Sequence, residues 1–205
     1  PTAAALAAPP HRVTLRYDVS QNGTTMAEAT ETLEHDGRNY RIHTEWQGKG
    51  VFALIVRGKA VRSSEGTIEA RGLVPRQFRD QRGDGPVGVA RFEWSKKVLV
   101  REREGRTESE SLPEQAQDRL SFGYGFAFAP PAGGEITVFI ADPKGISRHR
   151  YAVAGRETLK TAAGEFEFGL SVTDAAGQTL NLESMLVVLG PGFTTFSTPP
   201  GMVGQ

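Results

Sequence analysis

Residues 36–46 read Asp36-Gly37-Arg38-Asn39-Tyr40-Arg41-Ile42-His43-Thr44-Glu45-Trp46. In an extended chain side chains alternate between faces, so Tyr40, Ile42, Thr44 and Trp46 share one side and Arg41, His43 and Glu45 the other. Asp36-Gly37 ahead of them predicts a hairpin turn of type I′, in which both central residues take positive φ. The same rhythm runs outward in both directions. Val13, Leu15, Tyr17 and Val19 alternate with Thr14, Arg16 and Asp18. Phe92 and Trp94 alternate with Arg91 and Glu93, and Phe166, Phe168, Leu170 and Val172 alternate with Glu165, Glu167, Gly169 and Ser171. Weaker turn signals stand at Arg71-Gly72, Ser95-Lys96, Glu104-Gly105 and Ala176-Gly177. Strands are expected at 12–20, 25–34, 38–47, 58–69, 73–80, 87–94, 97–103, 106–111, 135–141, 147–159, 165–173 and 179–188. Short strands at this spacing with turns between them mark an all-β meander, sandwich or barrel.

One stretch breaks the pattern. Leu112-Pro113-Glu114 places proline and an acid where a helix begins, and Leu120 and Tyr124 stand four apart, predicting one short helix near 114–127. Glu135-Ile136-Thr137-Val138-Phe139-Ile140-Ala141 is apolar on both faces, as expected of a strand covered on both sides, with the helix as the candidate cover. Residues 96–110 carry charges of both signs, which can pair across a hairpin turning at Glu104-Gly105.

The chain has 205 residues, and one domain of this length buries a sizeable core without disulfides or a metal. There is no cysteine, which excludes thiol catalysis, iron–sulfur clusters and cysteine-bound zinc. Lys+Arg and Asp+Glu are both 24, a balance that argues against a nucleic-acid partner. No stretch approaches the length of a membrane-spanning helix, and no apolar run is longer than Val51 to Val56. Residues 1–10 (PTAAALAAPP) read as an Ala/Pro-rich linker or the remnant of a processed form. Residues 11–190 read as a single β-rich domain and 191–205 as a Gly/Pro/Thr-rich tail. Glycine, 24 of the residues, is in excess. Gly23, Gly37, Gly72, Gly105 and Gly177 fit turns, while Gly88 and Gly169 fit positions where a strongly curved sheet bends.

Few residues point to chemistry. His11, His35, His43 and His149 lack metal-ligand spacing. No hydrolase elbow, phosphate-binding loop or dinucleotide fingerprint is present. Glu45, Glu65, Glu69 and Glu93 are candidates for a glycosidase pair only if two of them converge. Gln117-Asp118-Arg119 is the most unusual polar cluster, suited either to tying the helix to the sheet or to holding a ligand headgroup at the mouth of a barrel. Aromatic residues suited to lining a cavity include Trp46, Phe52, Phe78, Trp94 and Tyr124. The loop Gly48–Val56, with Phe52, is a candidate apolar contact site. No cofactor is expected.

Taken in order, several segments resemble the bacterial domain-of-unknown-function family 3108. They are Tyr17 and Val19; Gly23 with Ala27-Glu28-Ala29; Tyr40-Arg41-Ile42; the Gly50–Val56 loop; Ser64-Glu65-Gly66; Gly72-Leu73-Val74-Pro75 with Phe78; Phe92 and Trp94; and Gln117-Asp118-Arg119-Leu120-Ser121. The resemblance covers roughly residues 12–172. It implies a periplasmic protein of the Gram-negative cell envelope, secreted or tethered upstream of residue 1. Its implied fold is a mainly β one, a curved antiparallel sheet or partly open barrel wrapping on one short helix, resembling lipoprotein-carrier folds. Residues 184–192 depart from the family pattern, so the resemblance implies a last strand that is missing or altered. No catalytic residue carries over. The leading expectation is a non-catalytic protein holding a lipid or lipoprotein in a sheet-lined cavity, with Trp46, Phe52, Phe78, Trp94, Tyr124, Asp118 and Arg119 as the contact set. The alternatives are an adaptor for another envelope protein and, third, an enzyme acting on polysaccharide or lipid.

Overall fold

The alternating segments form hairpins because each has one apolar side to bury and a turn at its end. The computed structural model describes residues 9–21, 24–51, 53, 58–129, 135–152, 157–161, 164–168, 171–173 and 179–181. Strands β1 (Arg12–Gln21), β2 (Thr24–His35), β3 (Asn39–Gly48), β4 (Lys59–Glu69), β5 (Gly72–Arg82), β6 (Gly88–Glu93), β7 (Val98–Arg103) and β8 (Arg106–Ser111) follow the expected segments closely. They pair in sequence order as one eight-stranded antiparallel sheet in which β1 and β8 do not meet, so it is not a closed barrel. Helix α1 (Ser121–Gly125) comes next, then β9 (Glu135–Asp142) and β10 (Gly145–Ala152). Strands β11 (Glu157–Thr161), β12 (Gly164–Phe168), β13 (Ser171–Thr173) and β14 (Thr179–Asn181) complete the described elements. Strands β9, β10, β13 and β14 make a second sheet, and β11 pairs with β12 alone.

The differences from expectation have local causes. The 147–159 segment divides into β10 and β11, which lie in different sheets, and 165–173 divides into β12 and β13. The helix is much shorter than 114–127. Gln115 has φ 64°, Gln117 exchanges backbone hydrogen bonds with Phe139 and Ala141, and the Asp118 carboxylate takes the N–H groups of Leu120 and Ser121. The backbone before Ser121 is therefore committed elsewhere. Helix α1 packs against β5, whereas β9 is bordered by Gln117 rather than covered by the helix.

The turns also exchange roles. At Asp36-Gly37 only Gly37 has positive φ, because the Asp36 carboxylate accepts from the N–H groups of Arg38 and Asn39 at 2.7 and 2.6 Å and fixes a wider loop. Those bonds hold Asp36 down at a pKa of about 2. The type I′ geometry occurs at Glu104-Gly105, with φ 52° and 76° between the paired Arg103 and Arg106. Across that hairpin Arg101 pairs with Glu108 at 2.8 Å. The turn at Ala176-Gly177, Gly169 and residues 182–205 lie outside the described residues.

Curvature comes from β-bulges, one between Val19 and Ser20 and one between Glu65 and Gly66. At the second, Glu65 pairs with Gln77 and Gly66 with Pro75, so Arg76 is the extra residue. A Cβ on Gly66 would stand 2.0 Å from the Val74 carbonyl oxygen, so no larger residue fits there. The bulge reverses the parity of β5. Leu73 and Pro75 face inward before it and Phe78 after it, which explains how the spacing of Gly72-Leu73-Val74-Pro75 with Phe78 buries all three side chains. Gly88 admits the Pro143 ring at a distance no Cβ would allow.

Candidate functional site

Register places the inner face of the large sheet in parallel rows. The first is Val13, Leu33, Ile42, Ser64, Phe78 and Ala90, each opposite the next across a strand pair. The segment from Leu112 to Phe128 crosses the sheet and joins this row in the core, contributing Leu112, Ala116, Leu120 and Tyr124. The second row is Leu15, Glu31, Thr44, Arg62 and Asp80. The third is Ala29, Trp46 and Ala60. A polar strip therefore runs between two apolar ones.

The second row is largely satisfied. Buried Glu31 accepts from the Tyr124 hydroxyl at 2.7 Å. Arg62 donates to Asp80 at 2.9 Å. Between them the Thr44 hydroxyl is buried and has no hydrogen-bond partner among the described residues. Buried polar groups are rarely left unpaired, so this one calls for a physical account.

Asp118 is fully buried beneath the crossing segment. Its Oδ2 accepts from Ser64 Oγ at 2.6 Å, and its Oδ1 from the N–H groups of Leu120 and Ser121, each at 2.8 Å. Tyr40 shares a hydrogen bond with Ser64 at 3.0 Å. Burial pushes the Asp118 carboxyl up to about 6 against the opposing effect of these bonds. Burial, and next to it the Asp118 charge, push the Tyr40 phenol well above its usual range. Asp118 thus caps the start of α1 and ties it to β4. Ser64, Asp118 and Ser121 are each 0% exposed, so the trio presents no face to a substrate.

The other candidates disperse. Arg119 leaves the core and meets Asp142 at the end of β9, 2.7 Å away. Phe78 and Tyr124 both belong to the buried core, Phe78 with no exposure at all. Trp94 stacks on Phe92, donates its Nε1–H to the Pro75 carbonyl at 2.7 Å and lies under the Arg71 guanidinium. Trp46 stands in the third row, separate from these, and Phe52 lies outside the described residues. In the Gly48–Val56 loop, Val51 is 67% exposed.

The carboxylates Glu45, Glu65, Glu69 and Glu93 each pair with a neighbouring cation, respectively Lys59, Arg41, Arg71 and Lys96. Among the described residues no group of His, Asp and Glu has the geometry of a metal site. His149 bonds Ser147 at 2.8 Å, and burial, with the Arg119 charge, lowers its pKa. A cleft of about 600 Å³ opens at the β2–β3 turn, lined by charged residues including Arg12, Arg41 and Arg76, and of the described aromatic candidates none reaches it.

The family model described as a protein of unknown function, DUF3108, matches residues 16–174. The chain belongs to the DUF3108 family. No curated protein and no solved structure matches it. The matched span of the DUF3108 domain begins in β1 and includes every described strand up to β13, together with the Asp118 cap. Sequence reasoning singled out Asp118 but missed its partners. Ser64 and Glu31 carried a readable signal, each being a polar residue on the apolar parity of its strand, with Glu31 between Ala29 and Leu33. Among the described helices none is long and apolar enough to cross a membrane.

Proposed function

We propose that this DUF3108 protein is a non-catalytic component of the bacterial envelope, located in the periplasm, that holds an amphiphilic molecule against the inner face of its open sheet. The observation that carries the reading is the alternation of strips on that face. Beyond the core row through Ile42 and Phe78, which the crossing segment covers, the polar row of Glu31, Thr44, Arg62 and Asp80 and the apolar row of Ala29, Trp46 and Ala60 lie side by side on a sheet whose edges do not close. A ligand with an apolar body and a polar group satisfies both kinds of row at once. In the polar row Arg62 and Asp80 are only part-buried, so they rather than sealed Thr44 are the groups open to that polar group. Of the candidate contacts, Trp46 fits this role best, since Phe78, Tyr124 and Asp118 are consumed by the core. The sealing of Asp118 and the dispersal of the carboxylates favour binding over chemistry.

The test is displacement of an anionic naphthalene dye by lysophospholipid, followed by fluorescence. The expected result is saturable dye enhancement that lysophospholipid reverses, weakened at least tenfold by Ala60→Glu, which puts a charge in the third row. Enhancement that neither lysophospholipid nor Ala60→Glu alters would overturn the reading. Fractionation that recovers the native protein in the cytoplasm would remove its location.

A further inference from the structure

The two edges of the large sheet differ in a way the binding role does not use. Edge strands expose unpaired backbone groups, and proteins blunt them with charge. Strand β8, Arg106-Thr107-Glu108-Ser109-Glu110-Ser111, has no apolar residue and carries one basic and two acidic ones. Strand β1 is longer and alternates apolar with polar residues, and among the described residues only β2 pairs with it.

The direction of its free backbone groups follows from the ladder. His35 donates its N–H to the His11 carbonyl at 2.9 Å, and Lys49 donates to the Met26 carbonyl at 2.9 Å. In an antiparallel pair hydrogen-bonded and non-hydrogen-bonded pairs alternate. Val13 and Leu15 therefore bond β2, while the N–H and C=O groups of Arg12, Thr14, Arg16 and Asp18 point away from the sheet. A second copy related by a two-fold axis can bond only through these residues, which leaves few registers. With Thr14 on the axis, Arg12 faces Arg16. With Arg16 on the axis, two arginines face each other. With Leu15 on the axis, Arg12 faces Asp18 twice and Thr14 faces Arg16 twice. That register also ends before the bulge between Val19 and Ser20. With Tyr17 on the axis the charges also match, but the pairing must run through the bulge.

We propose that the β1 edge is a self-association site, at which two copies pair antiparallel with Leu15 on the two-fold axis, joining their eight-stranded sheets. Opposite charges directly across a strand pair favour this register, and like charges disfavour its neighbours. Arg16 is exposed, and among the described residues no carboxylate pairs with it; Asp18 already holds Lys49 on the same face at 2.7 Å.

The absence of cysteine makes the test direct. Sedimentation over a wide concentration range is expected to show a monomer–dimer equilibrium. Thr14→Pro removes an outward N–H while sparing the bonds to β2, and Asp18→Arg sets like charges opposite. Each is expected to weaken dimerisation at least tenfold. Adding Arg12→Asp to Asp18→Arg is expected to restore it. In the dimer the two residues at position 15 have Cβ atoms about 4.5–5.5 Å apart, so Leu15→Cys is expected to give a disulfide-linked dimer on mild oxidation. A monomer at every concentration overturns the proposal, as does a dimer indifferent to Thr14→Pro. A dimer that cross-links through a cysteine at position 17 and not at 15 overturns the register. Circular dichroism of each variant identifies any that fails to fold, and a folded monomeric wild type is decisive without them.

Discussion

Replacing Asp118 with asparagine tests the interior of the molecule through pH. The carboxyl is fully buried, and burial raises it from an ordinary 3.8 to about 6. A group whose folded pKa is raised binds its proton more tightly in the folded state. Its contribution is complete below 3.8 and is lost as pH rises through about 6, after which the loss is constant. Moving a carboxyl from 3.8 to about 6 corresponds to about 3 kcal/mol. Asparagine keeps the geometry. Its oxygen accepts from Leu120 and Ser121, its nitrogen donates to Ser64 Oγ, and Ser64 then donates to Tyr40. Urea unfolding of both proteins from pH 4 to pH 8 gives the difference directly. Asp118→Asn is expected to match the wild type near pH 4 and to gain on it by up to about 3 kcal/mol by pH 7–8. Asp36, held down at about 2, has the opposite sense: its contribution is present above about pH 4 and is lost only as pH falls through about 2, equally in both proteins. A difference that stays flat between pH 4 and 8, or that grows in favour of the wild type as pH rises, would refute the reasoning.

Other outcomes follow from packing and turns, each read as a shift in urea midpoint. Gly66→Ala is expected to destabilise by about 3 kcal/mol or more, because the added Cβ meets the Val74 carbonyl; a loss under about 0.5 kcal/mol would mean that the bulge can open. Phe78→Ala, at a fully buried ring, is expected to cost about 3–5 kcal/mol, and a cost below about 1 kcal/mol would remove it from the core. Glu104→Asn is expected to stabilise by about 0.5–1 kcal/mol, since asparagine tolerates the positive φ of this type I′ turn better than glutamate. Destabilisation there would contradict the turn assignment.

The sheet was legible because its signal is local. Alternation between Tyr40, Ile42 and Thr44 and their charged neighbours fixes which face is buried, and a short turn fixes which strand comes next. The crossing segment was not legible in the same way. Pro113 and the Leu120–Tyr124 spacing announce a helix. Yet Gln117 and Asp118 are taken by Ile140 and Ser64, partners far away in sequence, and those contacts set where the helix starts. The contact set suffered from the same blindness. An aromatic residue on an apolar parity looks alike whether it fills a core, as Phe78 does, or stands in the third row, as Trp46 does. The polar strip was within reach, because Glu31 interrupts an apolar parity. Its significance needed the register that places it beside Thr44, Arg62 and Asp80.

Whether the inner face carries an amphiphile is tested most directly by native mass spectrometry of the protein purified without detergent from the cells that make it. The expected spectrum contains, beside the bare chain, a complex whose added mass dissociates as one class of lipid or lipid-linked molecule and is lost in Ala60→Glu. A spectrum of bare chain alone, from protein that unfolds cooperatively and is therefore intact, would contradict the account.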